Sequence, residues 1–352
     1  MKVAIVQNRE SGRVISTFGQ PCPEVYSSRT LEATAEGLRD GGHVVLTMEG
    51  DTHLLAELSR FMPADGQGGP GGMVFNMAYG IQGDCRYTHV PAMLEMAGIP
   101  YTGSNPLGHA LALDKVITKT LLRSAGVPTP DDCVMRGGDD PWPRSLQFPL
   151  VVKPRHESTS FGLRLVHTPE QLQEAVEAVT DKYLQDALVE EYVDGREVCV
   201  AMLGNEDVEV LPLVEQDFGD RPVRIVTWED KYHKSSLPAG KICPAPLDES
   251  LANRIRSIAV ATFRACHCRD YARVDLRIDR RGRPFVLEIN SMASLGAGGS
   301  YVLAAGAAGY SHAGLVNRIL DLAHVRYFGV PAPRPDRAAT EASIAWLPSS
   351  NR

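Results

Sequence analysis

The chain has 352 residues, 43% hydrophobic and 22% charged, and no apolar run approaches transmembrane length, so we predict a globular protein of two or three lobes with no membrane partner. The formal net charge of −7, without a basic block, argues against a nucleic-acid surface, although a local basic pocket can still hold phosphates. Seven scattered cysteines without a CxxC pair favour a reducing, cytoplasmic location over a disulfide framework or a zinc site.

The first third of the chain alternates strands with helices. We predict strands at 2–7, 43–48 and 73–77 and helices near 24–40 and 88–98. Such alternation is typical of a parallel sheet with helices on its faces. A helix at 107–125 follows and ends at Gly126 before two prolines, which indicates a lobe boundary close to its start.

The middle and last thirds predict antiparallel sheets with a few long helices. Strands are expected at 149–153, 163–167, 187–193, 196–203 and 208–216, and helices from Thr168 and near 248–267 and 311–327. The charged, proline-containing stretch 219–247 suggests a functional flap, and the small-residue stretch after Asn290 suggests loop and turn. We therefore predict an α/β fold with α+β lobes, divided at 1–106, 107–187 and 188–330, with a surface tail at 331–352.

The stretch VDLRIDRRGRPFVLEIN (274–290) predicts a hairpin with two unlike faces. A two-residue loop at Arg281-Gly282 would place Asp275 opposite Glu288 and Arg273 opposite Asn290. The apolar face would then bury six side chains, namely Val274, Leu276, Ile278, Phe285, Leu287 and Ile289.

The other face of this hairpin would hold facing carboxylates. Two acids opposite each other destabilise a sheet unless a positive charge lies between them. Asp275, Glu288 and the amide of Asn290, with no Cys or His nearby, form an oxygen set that suits Mg²⁺, with Mn²⁺ as an alternative. A solvated hairpin of mixed charge remains the other interpretation of this stretch alone.

Residues 149–166 predict two strands joined by a loop of small hydroxyl residues. Exposed loop amides with Ser158, Thr159 and Ser160 are suited to phosphate oxygens, and Lys153 at the end of the first strand supplies a fixed cation. The stretch is not a P-loop, because no GxxxxGK[ST] motif is present and no helix follows. An ordinary polar hairpin turn is the alternative.

Taken in order, these features resemble those of ATP-grasp enzymes and, more narrowly, the D-alanine:D-alanine ligase family. The resemblance rests on several separated motifs: GIPYTGS (98–104), ALDKVITKTLL (112–122), VVKPRHESTSFG (151–162), LVEEYVDGREVCVAMLG (188–204), DKY (230–232), ARVDLRID (272–279) and LEIN (287–290). It covers residues 70–328 well and the start of the chain weakly. It implies a three-lobed ATP-grasp architecture in which two lobes enclose ATP.

The resemblance also implies which residues hold the nucleotide. Lys115 and Lys153 would hold the α and β phosphates, and Lys231 would reach a phosphate from the flap. Adenine would meet the backbone of a hinge between Glu190 and Val193, with Glu191 within it. Glu197 would bond the ribose hydroxyls. The alternative for Glu190 and Glu191 is an ordinary edge-strand charge, and for Lys231 a solvated loop lysine.

The reaction implied is ligation of a carboxylate to an amine through an acyl phosphate, with ADP and phosphate as products. Asp275, Glu288 and Asn290 would ligate Mg²⁺, as the carboxylate pairing also predicts. Arg273, Ser160 and Lys231 would be catalytic, with Arg273 and the amides of 158–160 facing the developing oxyanion. The substrates would be small and amino-acid-like.

The substrate positions depart from the family pattern. Glu24 stands for a donor-site glutamate, although it also suits a helix N-terminus. Tyr79 replaces a histidine, and Tyr232 matches a donor-site tyrosine. The Ser-Leu pair expected to hold the acceptor carboxylate after Asn290 is absent, and Ser300 is the candidate to serve in its place. We therefore expect D-alanyl-D-alanine not to be the main product. A donor with a non-amino-acid or side-chain carboxylate, and a non-catalytic nucleotide-binding protein, remain alternatives. Family members often form dimers through the first lobe, and the sequence leaves a homodimer open.

Overall fold

The structure is a computed structural model, and it describes residues 1–9, 14–17, 21–226, 228 and 239–333. Within these residues the strands form three sheets, one parallel and two antiparallel. Lys231 and Tyr232, residues 227 and 229–238 of the predicted flap and residues 334–352 of the predicted tail lie outside the described residues. The predicted lobe boundaries therefore stay a prediction, whereas the mixed α/β fold class is confirmed.

The N-terminal part contains a parallel sheet of strand order β2-β1-β3, as the alternation predicted. Its elements in chain order are β1 (Lys2–Gln7), α1 (Ser28–Asp40), β2 (Val44–Glu49), α2 (Leu54–Phe61), β3 (Gly72–Asn76) and α3 (His89–Ala97). The predicted start of the first helix near residue 24 is wrong, because Ser27 caps α1 by accepting a hydrogen bond from the Thr30 amide. The helix α2 was not predicted from the sequence.

The helix predicted at 107–125 is two helices, α4 (Pro106–Leu113) and α5 (Lys115–Ser124). Asp114 interrupts them with an extended backbone and accepts hydrogen bonds from the amides of Val116 and Ile117. An aspartate in such a conformation is a strong helix N-cap. The break makes Lys115 the first residue of α5 and buries its side chain.

The central antiparallel sheet has the order β4-β7-β5-β6. Its elements are β4 (Asp132–Met135), β5 (Leu150–Pro154), β6 (Arg164–Val166), α6 (Pro169–Tyr183) and β7 (Ala187–Glu191). Thr168 caps α6 as predicted, and the helix buries its apolar face in a core formed with this sheet. Because β7 lies between β4 and β5, it is an interior strand.

The third sheet follows the order β11-β10-β8-β12-β13, with β9 paired to β8. Its elements are β8 (Gly195–Gly204), β9 (Val208–Val210), β10 (Val214–Asp217), β11 (Gly240–Ile242), α7 (Glu249–Ala265), β12 (Asp270–Asp279), β13 (Pro284–Asn290), α8 (Ser300–Ala307) and α9 (His312–Phe328). The strand predicted at 208–216 is therefore two strands. The stretch predicted as loop after Asn290 contains α8, whose Tyr301 is fully buried.

The predicted hairpin at 274–290 forms, but its register changes once along the ladder. Asp275 lies opposite Glu288 and Arg273 opposite Asn290, as predicted. Nearer the turn, Leu276 pairs with Val286, so Leu287 is an extra, bulged residue.

The bulge arises because the loop has three residues, 280–282, rather than the two predicted, with Gly282 in the left-handed region. Burial of Leu287 and Phe285 in the core was therefore wrong. Val286 takes their place, while Leu287 lines the cavity described below. The helices within the described ranges are too short or too polar to span a lipid bilayer.

Candidate active site

A cavity lies between the central sheet and the third sheet. Most of the predicted site residues line it: Lys115, Lys153, Ser158, Ser160, Glu190, Glu191, Val193, Glu197, Arg273, Asp275, Glu288 and Ser300. Asn290 lines a small adjoining pocket that shares Lys115, Ser158 and Glu288 with the main cavity. Residues that are distant in the sequence therefore converge on one site.

The loop between β5 and β6, which we call the phosphate loop (155–163), has a strained backbone. Thr159 and Ser160 have φ angles of 55° and 57°, in the left-handed region that side chains with a Cβ rarely adopt. The hydroxyl groups of Ser158 and Thr159 are buried and have no hydrogen-bond partner within the described residues. Because buried polar groups normally have partners, these hydroxyls point to a polar ligand.

Glu157 links the phosphate loop to other parts of the chain through hydrogen bonds. Its buried carboxylate accepts hydrogen bonds from Arg86 at 3.1 Å and from Gln185 at 2.8 Å. Lys115 donates to the main-chain carbonyl of Glu157, and Arg86 also donates to the carbonyl of His156 at 3.0 Å. These bonds, which reach the loop from three different parts of the chain, stabilise its strained conformation.

Two lysines share one carboxylate beneath the cavity. Glu190 accepts hydrogen bonds from Lys153 at 2.5 Å and from Lys119 at 2.9 Å, and all three side chains are buried. Burial alone would raise the pKa of Glu190, but the two ammonium groups outweigh it and hold the pKa at about 2. Glu190 lies on the interior strand β7, so the alternative of an edge-strand charge is wrong for this residue.

The paired acids of the hairpin lie at the opposite side of the cavity. Asp275 accepts two hydrogen bonds from Arg273, both at 2.7 Å, and one from Asn290 at 3.0 Å. Burial would lower the pKa of Arg273, but Asp275 outweighs it and raises the pKa, so this guanidinium is always charged. Carboxylate and amide oxygens are hard ligands that fit Mg²⁺. Among the described residues, no three His, Cys, Asp or Glu side chains form a separate metal cluster.

The far end of the cavity is formed by the connection from β7 to β8. Glu197 on β8 lies directly opposite Arg277 on β12 and accepts a hydrogen bond from it at 2.9 Å. Val193 and Glu191 line the same end, and Glu191 also accepts a hydrogen bond from the amide of Gln147. This end joins a carboxylate to a stretch of exposed backbone.

The N-terminal substrate candidates Glu24 and Tyr79 are buried beside the phosphate loop. Glu24 accepts a hydrogen bond from the Tyr87 hydroxyl at 2.5 Å and lies 3.6 Å from Arg86. Tyr79 stacks on Tyr26 with ring centroids 4.9 Å apart. Glu24 therefore already has a cation and a hydroxyl as partners.

Ser300 lies on the other wall of the cavity, in the first turn of α8, and accepts a hydrogen bond from Gln216 at 3.2 Å. The cap residue before it, Gly299, has no side chain with which to cap the helix. Backbone amides at a helix N-terminus favour a negative group nearby.

Comparison with known proteins gives the family. Residues 121–321 match the family model described as the D-ala D-ala ligase C-terminus. A D-alanine–D-alanine ligase of Moorella thermoacetica is 31% identical over 88% of this chain and 99% of its own length. The chain belongs to the D-alanine–D-alanine ligase family. The ligase of Pelotomaculum thermopropionicum is 35% identical over 66% of this chain and 75% of its own length.

Two further proteins resemble this chain over most of its length. A protein of Sinorhizobium fredii, y4sG, which is named as uncharacterized, is 56% identical over 94% of this chain and 98% of its own length. The D-alanine–D-alanine ligase of Bacillus anthracis complexed with ATP has a TM-score of 0.71 at 20% identity, covering 93% of this chain and 98% of that chain. This likeness confirms the ATP-grasp fold. Family membership supports a ligase that joins a carboxylate to an amine with ATP.

Four charged residues of this family member were missed by the sequence analysis: Arg86, Lys119, Glu157 and Arg277. All four are almost completely buried and ion-paired. Only Arg277 carried a usable signal, because it follows Asp275 by two residues and so shares its face of the strand. The partners of the other three come from distant segments, which spacing does not reveal.

Proposed function

We propose that the protein is an ATP- and Mg²⁺-dependent carboxylate–amine ligase that joins two small amino-acid-like molecules through an acyl phosphate. The observation that carries this proposal is the cavity itself. On one side lie two lysines and a strained loop whose hydroxyls have no partner among the described residues, and on the other lie facing carboxylates with an arginine. Family membership supports the same reaction class.

The nucleotide would lie along the cavity between the two sheets. Its phosphates would accept hydrogen bonds from Ser158, Thr159 and the loop amides, close to Lys115 and Lys153. The base would meet the backbone before Val193. One end of the cavity thus supplies cations for a triphosphate, and the other supplies backbone groups for a purine.

The remaining nucleotide contacts follow from the same placement. Glu197 would accept from the ribose hydroxyls, and Glu191 lies next to the base. Lys231, which lies outside the described residues, is proposed to reach a phosphate. Asp275, Glu288 and Asn290 would hold Mg²⁺, which would neutralise phosphate charge during transfer.

The bond changes follow from the chemistry of carboxylates. An oxygen of the first substrate attacks the γ-phosphorus of ATP, the bond to the bridging oxygen breaks, and ADP leaves. The amine of the second substrate then attacks the acyl carbon, loses a proton and expels phosphate. Arg273 and the amides around Ser160 would stabilise the oxyanion. Enclosure by the two sheets protects the acyl phosphate from water.

The substrates would occupy the two walls beside the phosphate end of the cavity. Ser300 and the N-terminus of α8 suit the carboxylate of the acceptor. Glu24 and Tyr79, with Tyr232 outside the described residues, are proposed for the donor side. A free Glu24 carboxylate would attract an ammonium group, but here Arg86 already compensates its charge.

This pairing favours a second candidate within the same reaction class. A permanently charged guanidinium beside Glu24 repels a further cation. The donor would then be a carboxylate without an ammonium group at that position, such as a non-amino-acid or a side-chain carboxylate. Either candidate agrees with our expectation that D-alanyl-D-alanine is not the main product.

A panel assay tests the proposal. ADP release would be measured for pairs of small carboxylates and amino acids, including hydroxy acids and glutamate, with products identified by mass spectrometry. Glu288→Gln should lower turnover by about 100-fold or more, because metal ligands matter at least as much as the groups that orient them. Glu209→Gln, on β9 and bonded to Tyr310, is the matched control and should retain activity.

The outcomes separate the alternatives. Binding of Mg-ATP without turnover for any pair would favour a non-catalytic nucleotide-binding protein. Robust turnover of D-alanine alone at low millimolar concentration would contradict the substrate proposal. Failure of Mg-ATP to bind the wild-type protein would refute the proposed function as a whole.

A further inference from the structure

Arg277 is the most completely bonded charged residue at the base-binding end of the cavity. Its side chain is only 3% exposed although it carries a permanent charge. It projects from β12 on the same face as Asp275 and lies opposite Glu197 on the neighbouring strand. Burying a guanidinium costs free energy unless its N–H donors have hydrogen-bond partners, so the partners of Arg277 indicate its role.

All three nitrogen atoms of Arg277 donate hydrogen bonds to protein acceptors. Nε donates to the carbonyl of Val193 at 2.6 Å, and Nη1 to the Glu197 carboxylate at 2.9 Å and the carbonyl of Arg224 at 2.6 Å. Nη2 donates to the carbonyl of Gly195 at 3.0 Å and the Tyr192 hydroxyl at 3.2 Å. A guanidinium has five N–H donors, and five acceptors surround this one.

These partners come from both walls of the proposed base site. Val193 belongs to the connection between β7 and β8, which lines the cavity. Arg224 precedes Ile225 and Val226, which line the cavity from another segment. Arg277 therefore ties two separate stretches of backbone together, and the Tyr192 ring packs over its guanidinium at 4.8 Å.

We infer that Arg277 is a positioning residue for the nucleotide. It fixes the Glu197 carboxylate and both backbone walls, and thereby sets the affinity for ribose and base. Because its donors are used by the protein, it acts through these groups rather than by bonding the ligand. The inference rests on the proposed function, since it assumes that ATP occupies this cavity with its ribose at Glu197.

The inference predicts a loss of sugar discrimination. A hydrogen bond to a charged group corresponds to roughly tenfold to a hundredfold in affinity. Wild-type protein should therefore bind ADP at least about tenfold more tightly than 2′-deoxyADP. With Glu197 no longer fixed, Arg277→Met should reduce this ratio to about threefold or less, and KM for ATP should rise while kcat at saturating ATP stays within about threefold.

The experiment uses calorimetric binding of ADP and 2′-deoxyADP with Mg²⁺, together with turnover with ATP and 2′-deoxyATP. Arg277→Lys keeps the charge and stem but supplies three donors, so its ratio should be intermediate. Arg280→Met is the matched control, because Arg280 lies in the same region, is 83% exposed and pairs only with Asp194 among the described residues. It should resemble wild type.

Each outcome decides the question. A ratio unchanged in Arg277→Met, or in Arg277→Lys if the methionine variant does not fold, overturns the inference. A lowered melting temperature with an unchanged ratio shows a merely structural role and also overturns it. Absence of ADP and ATP binding by wild-type protein refutes the proposed function instead, so the two failures are distinguishable.

Discussion

Replacing Glu190 by glutamine removes the carboxylate that two buried lysines share. In the wild-type protein Lys153 and Lys119 donate to its two oxygens, at 2.5 and 2.9 Å. Glutamine has nearly the same shape but no charge, so both ammonium groups lose their main counter-ion while remaining in a site that excludes water. We expect the free energy of unfolding to fall, because an uncompensated buried charge is costly.

The pKa of Glu190 gives the size of the effect. The lysines hold this pKa at about 2, against an ordinary value of 4.5. At about 1.4 kcal/mol per pKa unit, this lowering corresponds to about 3 kcal/mol of stability at neutral pH. Removing one partner of a buried ion pair costs about 3–5 kcal/mol, which agrees.

The direction of the Glu190 pKa shift determines how this contribution to stability depends on pH. The folded-state pKa lies below the unfolded-state value, so the contribution is complete above about 4.5 and is lost as pH falls towards 2. The difference between wild type and variant should therefore be nearly constant from pH 8 to pH 5 and about half as large at pH 3.

Thermal unfolding of wild type, Glu190→Gln and Glu191→Gln measures the effect. A loss of about 3 kcal/mol predicts a melting temperature lower by roughly 6–12 °C for a unit of 150–250 residues. Glu191 is the matched control, because it is the next residue and makes no ion pair with any described residue. A Glu190→Gln melting temperature within about 2 °C of the Glu191→Gln value would refute this reasoning.

Three further predictions concern the phosphate loop and its surroundings. Gly162→Ala should raise KM for ATP, because a Cβ there would lie 2.8 Å from a neighbouring proline at a φ of +77°. The control Gly126→Ala, at a φ of +70° in open space, should affect stability alone. Equal KM values for ATP in the two variants would contradict this prediction. Burial lowers the pKa of His109 to about 3, so thermal stability should fall as pH drops below about 6.5, and melting curves of His109→Asn should lack that part of the slope. Arg86→Gln should raise KM for both ATP and the first substrate, whereas Glu157→Gln should raise mainly KM for ATP. If steady-state kinetics show both KM values unchanged in Arg86→Gln, the two sites are not coupled through Arg86.

Elements with a local sequence pattern were predicted correctly, whereas elements that depend on tertiary contacts were not. The parallel sheet was predicted from the alternation of strands and helices along the chain. The facing of Asp275 with Glu288 was predicted from the alternation of side-chain directions along each strand. The bulge at Leu287 does not, because a single extra loop residue shifts the register without changing composition. The helix α8 was missed because its glycine-rich flank resembles a turn, whereas burial of Tyr301 stabilises it.

The candidate site shows the same division. Several residues that face the cavity from strands were predicted, since spacing along one strand is informative, although Arg277 on β12 was missed. The roles of Arg86 and Glu157 were not, because their pairing joins segments 71 residues apart. Glu190 was predicted to belong to a hinge whose backbone meets adenine. The pairing of its side chain with Lys119 was visible only in the structure, where β7 is an interior strand.

The two arginines of β12 differ in how many of their nitrogen atoms are already bonded to protein. Arg273 directs Nε and Nη2 to Asp275, and its Nη1 makes no hydrogen bond with any described residue. Arg277, four residues further on, has every nitrogen bonded to protein. A guanidinium with an uncommitted nitrogen in a cavity can follow charge that develops on a ligand, whereas a fully bonded one can only hold its surroundings in place. Substitution of Arg273 should therefore lower kcat, and substitution of Arg277 should raise KM for ATP.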